Sequence, residues 1–327
     1  MSFSTRIHTI EFLPQNLPPG VFRFGIDHYI AHRLSSPMVK LKIHKDQTRS
    51  RKFALMAFIT RLLALVPYHL YIVLLGLACY ANTLNNGFVF DDSAYLTSAL
   101  VRNPYIGELL RSNWLGLDIY RPLTLLSLGL DFSLYQETPR GYHLSNLVLH
   151  LINGVLIYML ARDLLGRDQA ALWAALLYVS HPIQTEVVAW VSARGDLLAT
   201  LFFLSAFLAD RRGLWRWRIA AWILYGAAIL SKETAVVLPA VLLLYAWQMD
   251  RPEYSRTVFF WTWVKRNCGY AVVLLAALSF RWLALADSSA PAGPASTNFL
   301  AELDTWQRIC TIVAIVPRSI VAIVLPS

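Results

Sequence analysis

Eight apolar segments divide most of the chain, and each is long enough, or nearly long enough, to cross a lipid bilayer. A bilayer core of about 30 Å requires roughly 20 apolar residues per helix. The segments are 62–83, 143–163, 169–182, 187–208, 217–231, 233–249, 268–286 and 307–326. Hydrophobic residues make up 57% of the chain and charged residues 15%, against about 45–50% and 25% in soluble domains. We therefore expect an all-α polytopic membrane protein with about eight transmembrane helices.

Basic residues are distributed unevenly among the links between these segments. Of the 29 Lys and Arg residues, 20 lie before the first segment or in the links after the second, fourth and sixth segments, counting Arg162 and Arg218 at the segment ends, and five lie in the other links. The positive-inside rule places the first set in the cytoplasm. It predicts a basic, poorly ordered cytoplasmic tail over 1–60, a transmembrane domain over 61–327, and outer loops at 84–142 and 287–306. A nucleic-acid partner is not expected, because the excess charge is not gathered on one soluble face.

Two adjacent carboxylates, Asp91 and Asp92, follow the end of the first segment. A carboxylate at the membrane surface can accept a proton as a general base or can bind a cation. The alternative is a solvated acidic turn with no chemical role.

The same outer loop contains a short apolar stretch over 122–135 that begins after Arg121. It has helical spacing, is too short to span, and is expected to lie along the membrane interface. Arg121 could pair with a phosphate through two hydrogen bonds, or could simply anchor the helix at the interface.

Four polar residues recur along the second segment at His143, Asn146, His150 and Asn153. Their spacing of three and four residues puts them on one helical face, which must point toward other helices or a cavity. We expect His143 and Asn146 to line a cavity, and His150 and Asn153 to form hydrogen bonds between helices.

Charges also accompany the fourth segment, where Glu186, Trp190 and Arg194 recur every four residues and are expected to share a face. Arg194 and Asp196 would then lie below the outer surface. Charged groups at that depth are costly unless they are paired or wetted, so they indicate a functional site. A structural ion pair is the alternative.

Lys232 is predicted on the outer side, against the topological preference for basic residues. This placement suggests that it holds an anion, and a surface pair with Glu233 is the alternative. Arg281 and His181 are expected near the same plane.

These signals converge on one side of the membrane. Cations would hold a lipid phosphate, an acid would take the proton of an attacking hydroxyl, and aromatic rings would contact a sugar. Glycosyl transfer from a lipid phosphate requires this combination. The residues assigned to the substrate pocket are His143, Asn146, Glu186, Trp190, Arg194, Asp196 and Glu233.

Six short motifs carry a resemblance to a known family. In chain order they are NGFVFDD at 86–92, YRPL at 120–123, YHLSN at 142–146, HPIQTE at 181–186, RGD at 194–196 and SKET at 231–234. The series resembles the TMTC family, whose members are membrane proteins with tetratricopeptide repeats. This family is related to protein O-mannosyltransferases and is placed among the GT-C glycosyltransferases. The resemblance covers about residues 83–325.

The resemblance implies a GT-C-type helical module, a polyprenyl-phosphate sugar donor carrying a hexose, expected to be mannose, and a protein hydroxyl acceptor. It implies that Asp91 or Asp92 is the catalytic base. It places the donor phosphate among Arg121, Lys232, Arg281 and His181. No cofactor is required by the relation, and a divalent cation at Asp91 and Asp92 is the alternative.

Family members continue with further spans and repeats of about 34 residues, which this sequence lacks. We therefore expect a fragment, a frameshifted product or a reduced form. Two functions compete with the enzyme: a lipid-linked sugar binder or transporter, and a non-catalytic membrane subunit. The arginine-rich, lysine-poor body favours a bacterial plasma membrane over an ER membrane.

Overall fold

The computed structural model describes residues 67–111, 119–249, 256–286 and 304–324. The predicted tail over 1–60 and most of the predicted outer loop over 287–306 lie outside the described residues.

Regular structure in these ranges is helical. The α-helices are α1 (Tyr68–Tyr80), α2 (Asp92–Thr97), α3 (Ala99–Arg102), α4 (Ile106–Leu109), α5 (Pro122–Tyr135), α6 (Pro139–Leu165), α7 (Asp168–Ser180), α8 (Gln184–Ala189), α9 (Arg194–Arg211), α10 (Trp215–Ser231), α11 (Leu238–Met249), α12 (Arg256–Ala286) and α13 (Thr305–Val324). Three 3₁₀-helices cover Ala81–Asn85, Val191–Ala193 and Glu233–Val237. The all-α prediction is confirmed for this part of the chain.

Three helices are long and apolar enough to cross a membrane: Pro139–Leu165, Val191–Arg211 and Thr257–Ala286. They correspond to the second, fourth and seventh predicted segments. The apolar stretch Glu233–Met249 is shorter, and α1 and α7 have 13 residues each. At 1.5 Å per residue a helix of that length reaches only about 20 Å. The described ranges therefore contain three candidate spans, and the prediction of about eight is not confirmed.

The fourth predicted segment, 187–208, is not one continuous helix. Helix α8 ends at Ala189, Trp190 has an extended backbone, and α9 begins only at Arg194. The Trp190 carbonyl accepts a hydrogen bond from Asn146 Nδ2 at 3.1 Å, a tertiary contact made at the break. The prediction that Glu186, Trp190 and Arg194 share one helical face is therefore wrong, because i, i+4 spacing aligns side chains only within an unbroken helix.

Close helix packing and buried polar side chains hold α6 against its neighbours. A Cβ added at Gly154 would come within 2.3 Å of a Val179 methyl group, so α6 and α7 pack closely at this glycine. His150 Nε2 lies 3.2 Å from the Val179 carbonyl oxygen, and Asn153 Nδ2 donates to the Leu197 carbonyl at 2.9 Å. The interhelical role predicted for His150 and Asn153 is confirmed.

The loop after α1 folds onto one end of the helix bundle. Helix α5 has the bounds predicted for the short apolar helix, 122–135. One apolar cluster joins α2, α3 and α5 to the start of α6, with its buried members including Tyr95, Leu96, Val101, Leu125, Leu128 and Tyr142. We call this end of the bundle, where α6 and α9 begin, the site end. The cluster fixes the segment that contains Asp91 and Asp92 there.

Candidate active site

Asp92 is fully buried, and its carboxylate accepts hydrogen bonds from protein donors. Its Oδ1 accepts hydrogen bonds from the Ser192 backbone N–H at 2.9 Å and from the Ser192 hydroxyl at 2.5 Å. Its Oδ2 accepts from the Val89 N–H at 2.9 Å. These bonds tie the loop before α2 to the 3₁₀-turn before α9, although the two lie 100 residues apart in the chain. Asp92 therefore positions the loop.

Asp91 lies beside this anchor and remains half-buried. Its Oδ1 accepts a hydrogen bond from Trp190 Nε1 at 3.1 Å. Phe90 adopts a positive φ of 49° and its ring meets the Trp190 ring edge-on at 5.7 Å, while its side chain stays exposed. A non-glycine residue in this region of φ is uncommon and is found where tertiary contacts impose it. The two adjacent acids thus have different environments.

A cleft of about 700 Å³ opens next to this loop. Its walls come from the loop before α2 and from α8, including Phe90, Glu186 and Trp190. Glu186 is exposed and Trp190 is half-buried. The cleft therefore combines a carboxylate and aromatic rings with the polar residues Asn86 and Thr185, which suits a sugar-sized ligand.

The predicted phosphate-binding cations are held by carboxylates. Arg121 donates from Nε to Glu233 Oε2 at 3.0 Å and from an NH2 group to Glu233 Oε1 at 2.6 Å. Lys232 Nζ donates to Asp196 Oδ2 at 2.6 Å. The Thr124 hydroxyl donates to the Ser231 carbonyl at 2.8 Å, which fixes α5 to the end of α10. The alternative pairing of Lys232 with Glu233 is therefore not the one found.

The Tyr95 hydroxyl lies within electrostatic range of both the acidic loop and these cations. Burial raises the pKa of Tyr95 to about 12, and the charges of Asp91, Arg121 and Glu233 also act on it. The hydrogen bond from Arg121 lowers the pKa of Glu233 to about 2, with a further contribution from Arg281. Most of the predicted ionisable groups therefore lie in one region at the site end. Tyr95, which the sequence analysis did not single out, is part of that region as a neutral hydroxyl.

Three residues predicted to line the pocket are buried within the protein instead. Arg194, Asn146 and His143 have no exposed surface. Arg194 forms an ion pair with Asp131 at 2.5 Å and donates from Nε to Asn146 Oδ1 at 2.7 Å. The cavity role predicted for His143 and Asn146 is therefore wrong, and Arg194 has the structural ion pair that was the alternative. A buried guanidinium requires this full set of partners, which excludes it from an open cleft.

His181 lies in the turn between α7 and α8. Its Nδ1 accepts a hydrogen bond from the Ile183 N–H at 3.2 Å, and its backbone carbonyl accepts one from the Tyr80 hydroxyl at 3.0 Å. Among the described contacts, none joins His181 to Arg121 or Lys232. Its predicted place on the phosphate side stays a prediction.

Sequence reasoning missed Ser192 and gave no role to Asp131. The sequence could have indicated a role for Asp131, because a lone carboxylate in an apolar helix requires a partner of opposite charge. Ser192 had none, because nothing local distinguishes a hydroxyl that will meet Asp92 from a distant part of the chain.

A divalent cation at the acidic pair is not favoured by the residues present. Both oxygens of Asp92 already accept hydrogen bonds from protein donors. Within the described residues, no group of three or more His, Cys, Asp or Glu side chains could hold a metal ion.

Comparisons with known proteins agree with the motif series. A family model described as dolichyl-phosphate-mannose-protein mannosyltransferase matches residues 122–283. Protein O-mannosyl-transferase Tmtc1 of Drosophila melanogaster is 37% identical over 176 residues, which are 50% of this chain and 20% of the relative. Protein O-mannosyl-transferase TMTC3 of Mus musculus is 32% identical over 185 residues, covering 51% and 20%.

Protein O-mannosyl-transferase TMTC2 of Homo sapiens is 34% identical over 190 residues, which cover 52% of this chain and 23% of the relative. The chain thus spans about a fifth of the length of the curated relatives it matches. No solved structure matches the chain. Over about half of its length, the chain is therefore similar to the TMTC protein O-mannosyl-transferases and to the mannosyltransferase family model.

Proposed function

We propose that this chain carries the catalytic part of a membrane glycosyltransferase that moves a hexose, mannose in the first instance, from a polyprenyl phosphate to a protein hydroxyl. The names of its relatives and of the matched family support the transferase class. The observation that carries the proposal is the division between the two acids. Both carboxylate oxygens of Asp92 accept hydrogen bonds from the protein. Asp91, in contrast, is half-buried beside a cleft of sugar-sized volume.

In this proposal Asp91 is the catalytic base. The acceptor hydroxyl oxygen attacks the anomeric carbon of the donor sugar, a bond forms between them, and the bond from that carbon to the phosphate oxygen breaks. Asp91 takes the hydroxyl proton, and the polyprenyl phosphate leaves with the electron pair of the broken bond. A single attack of this kind inverts the anomeric configuration.

The departing phosphate gains negative charge, and the cation cluster at the site end can stabilise it. Arg121, Lys232 and Arg281 supply three positive charges, against two on Glu233 and Asp196. These carboxylates hold Arg121 and Lys232 in place before the donor binds, so little reorganisation is needed when charge develops. His181 and Glu186 are proposed to contact the donor from the opposite wall of the site.

The topology and location belong to the same proposal. We propose that the site end faces away from the cytoplasm, within an eight-segment arrangement, because basic residues concentrate in the opposite set of links. The polyprenyl chain would lie between helices. The lysine-poor body supports a bacterial plasma membrane, although the relatives named above come from animals.

The experiment is a transfer assay with the full chain in lipid vesicles, using polyprenyl-phosphate mannose and a peptide rich in Ser and Thr. Asp91→Asn keeps an acceptor for the Trp190 N–H but cannot take a proton, so product formation should fall by about a hundredfold or more. Glu108→Gln, an exposed carboxylate on α4, is the matched control and should leave the rate unchanged.

Three outcomes would overturn the proposal. Unaltered transfer by Asp91→Asn removes this acid from the mechanism. Retention of the donor, or its transport across sealed vesicles, without any glycosylated product from the unchanged chain would favour a lipid-linked sugar binder or transporter. A chain that neither binds the donor nor forms product would be a non-catalytic subunit.

A further inference from the structure

A second cavity lies at the opposite end of the helix bundle from the acidic loop. It has a volume of about 580 Å³ and is formed where α6 and α9 end and α1 begins. Arg162 on α6 is 16 residues beyond Asn146, which places it about 24 Å along the helix from the candidate active site. The cavity therefore belongs to a different surface of the protein, which we call the far end.

Three arginines dominate the lining of this cavity, Arg162, Arg211 and Arg212, together with one carboxylate, Asp163. Asp168, which pairs with Arg162, adds a second negative charge nearby. The group as a whole carries one net positive charge. A single anion of charge minus one would neutralise it, and a phosphodiester is such an anion.

Two of the three arginine side chains, Arg162 and Arg211, are paired with carboxylates of the protein. Arg211 donates from Nε to Asp163 Oδ2 at 2.5 Å, and its guanidinium lies 4.7 Å from the centre of the Tyr245 ring. Arg162 Nε lies 2.7 Å from Asp168 Oδ1. A guanidinium has five N–H donors on three nitrogens, and each of these contacts engages only Nε. The remaining donors can therefore serve a phosphate without loss of the existing contacts, from side chains that are already positioned.

The cavity also has an apolar wall at membrane level. Met159 and Leu208 contribute to its lining, one turn or less before the arginines of α6 and α9. Both helices are candidate spans, so their ends lie where a bilayer has its headgroups. The arginines at that level could contact the phosphate of a lipid headgroup, and the apolar wall below them could contact its glycerol and first methylene groups. Basic pockets between helix ends are a known means of binding anionic headgroups.

We propose that this cavity binds the phosphodiester headgroup of an anionic phospholipid. The site is separate from the proposed sugar transfer and does not depend on it. It would anchor the far end of the bundle in a leaflet that contains anionic lipid.

The test is lipid retention by the purified full chain, measured by native mass spectrometry from mixed micelles of phosphatidylglycerol and phosphatidylcholine. The unchanged protein should retain phosphatidylglycerol in preference to phosphatidylcholine. The double variant Arg162→Gln, Arg212→Gln should lower that retention by about tenfold and leave phosphatidylcholine unaffected.

The matched control removes two positive charges elsewhere. Arg102→Gln, Arg216→Gln changes one exposed arginine at the site end and one on α10 that does not line the cavity. This control should retain phosphatidylglycerol as the unchanged protein does. Circular dichroism and the melting temperature in phosphatidylcholine alone verify that each variant is folded.

Competition with inorganic phosphate distinguishes a site for a lipid headgroup from a site for free phosphate. It should not displace the lipid at millimolar concentration, because it lacks the contacts to Met159 and Leu208. Three results would overturn the proposal. The unchanged protein could retain both lipids equally, or the two double variants could lose phosphatidylglycerol equally. Millimolar inorganic phosphate could also displace the lipid. If the double cavity variant fails to fold, the single variant Arg162→Gln takes its place in the same comparison with the control.

Discussion

The indole N–H of Trp190 donates a hydrogen bond to Asp91 Oδ1 at 3.1 Å, across 99 residues of chain. Trp190 occupies the extended break between α8 and the 3₁₀-turn before α9. The interruption of a helix therefore supplies the donor that orients the proposed base. The same break places the Ser192 hydroxyl against Asp92.

Trp190→Phe should slow sugar transfer while leaving the fold intact. The phenyl ring keeps an aromatic group against Phe90 but loses the N–H that orients Asp91. A hydrogen bond to a charged group contributes about 1.5–3 kcal/mol, so the rate should fall by roughly tenfold or more. The assay is the vesicle transfer reaction. An unchanged rate would show that Asp91 needs no orientation from the indole.

The buried ion pair between Arg194 and Asp131 should stabilise the packing of α9 against α5. Asp131→Asn leaves a buried guanidinium without its counter-charge, and should cost about 3–5 kcal/mol in the free energy of unfolding. The double variant Asp131→Leu, Arg194→Met should recover much of this loss, because no buried charge remains. Thermal unfolding in detergent measures both. A double variant less stable than Asp131→Asn would contradict this account.

The Arg121–Glu233 pair should contribute stability only while Glu233 is ionised. The pKa of Glu233 is lowered to about 2 in the folded protein from an ordinary value of 4.5, chiefly by the hydrogen bond from Arg121. A carboxylate with a lowered pKa stabilises the fold above its unfolded pKa, and this contribution disappears as the pH falls through the folded value. Glu233→Gln should therefore lower the melting temperature at neutral pH.

The difference between Glu233→Gln and the unchanged protein should shrink as the pH falls below 4.5 and vanish near pH 2. Its size should stay below about 1 kcal/mol, because the Glu233 side chain is 52% exposed and solvent screens the pair. Glu108→Gln, which also removes an exposed carboxylate, serves as the control measured over the same pH range. A difference that grows on acidification would reverse the assigned sign.

Gly154→Ala should destabilise the contact of α6 with α7 and α1. The added Cβ would lie 2.3 Å from Val179 Cγ1 and 3.0 Å from Ile72 Cγ2, so at least one helix must shift. Overpacking of this kind costs about 1–3 kcal/mol. Gly226→Ala is the matched control, since its Cβ would meet only Val273 Cγ1 at 3.2 Å. Similar melting temperatures for the two variants would mean that the bundle is loosely packed at Gly154.

The sequence alone determined the all-α class, the bounds of α5 and the polar stripe on α6. Each depends on a local pattern: apolar length, helical spacing, or polar residues that recur on one face. His150 and Asn153 bond to neighbouring helices as that pattern predicts. The motif series also sufficed to indicate a TMTC-like chain.

Only the tertiary structure decided which ionisable groups meet. It paired Lys232 with Asp196 rather than with the adjacent Glu233, and it buried Arg194 against Asp131. It also broke the helix at Trp190 and gave the two neighbouring acids different surroundings. Local spacing fixes which face of a helix a residue occupies. The partner on that face comes from distant parts of the chain, and the need of each buried charge for a counter-charge selects it.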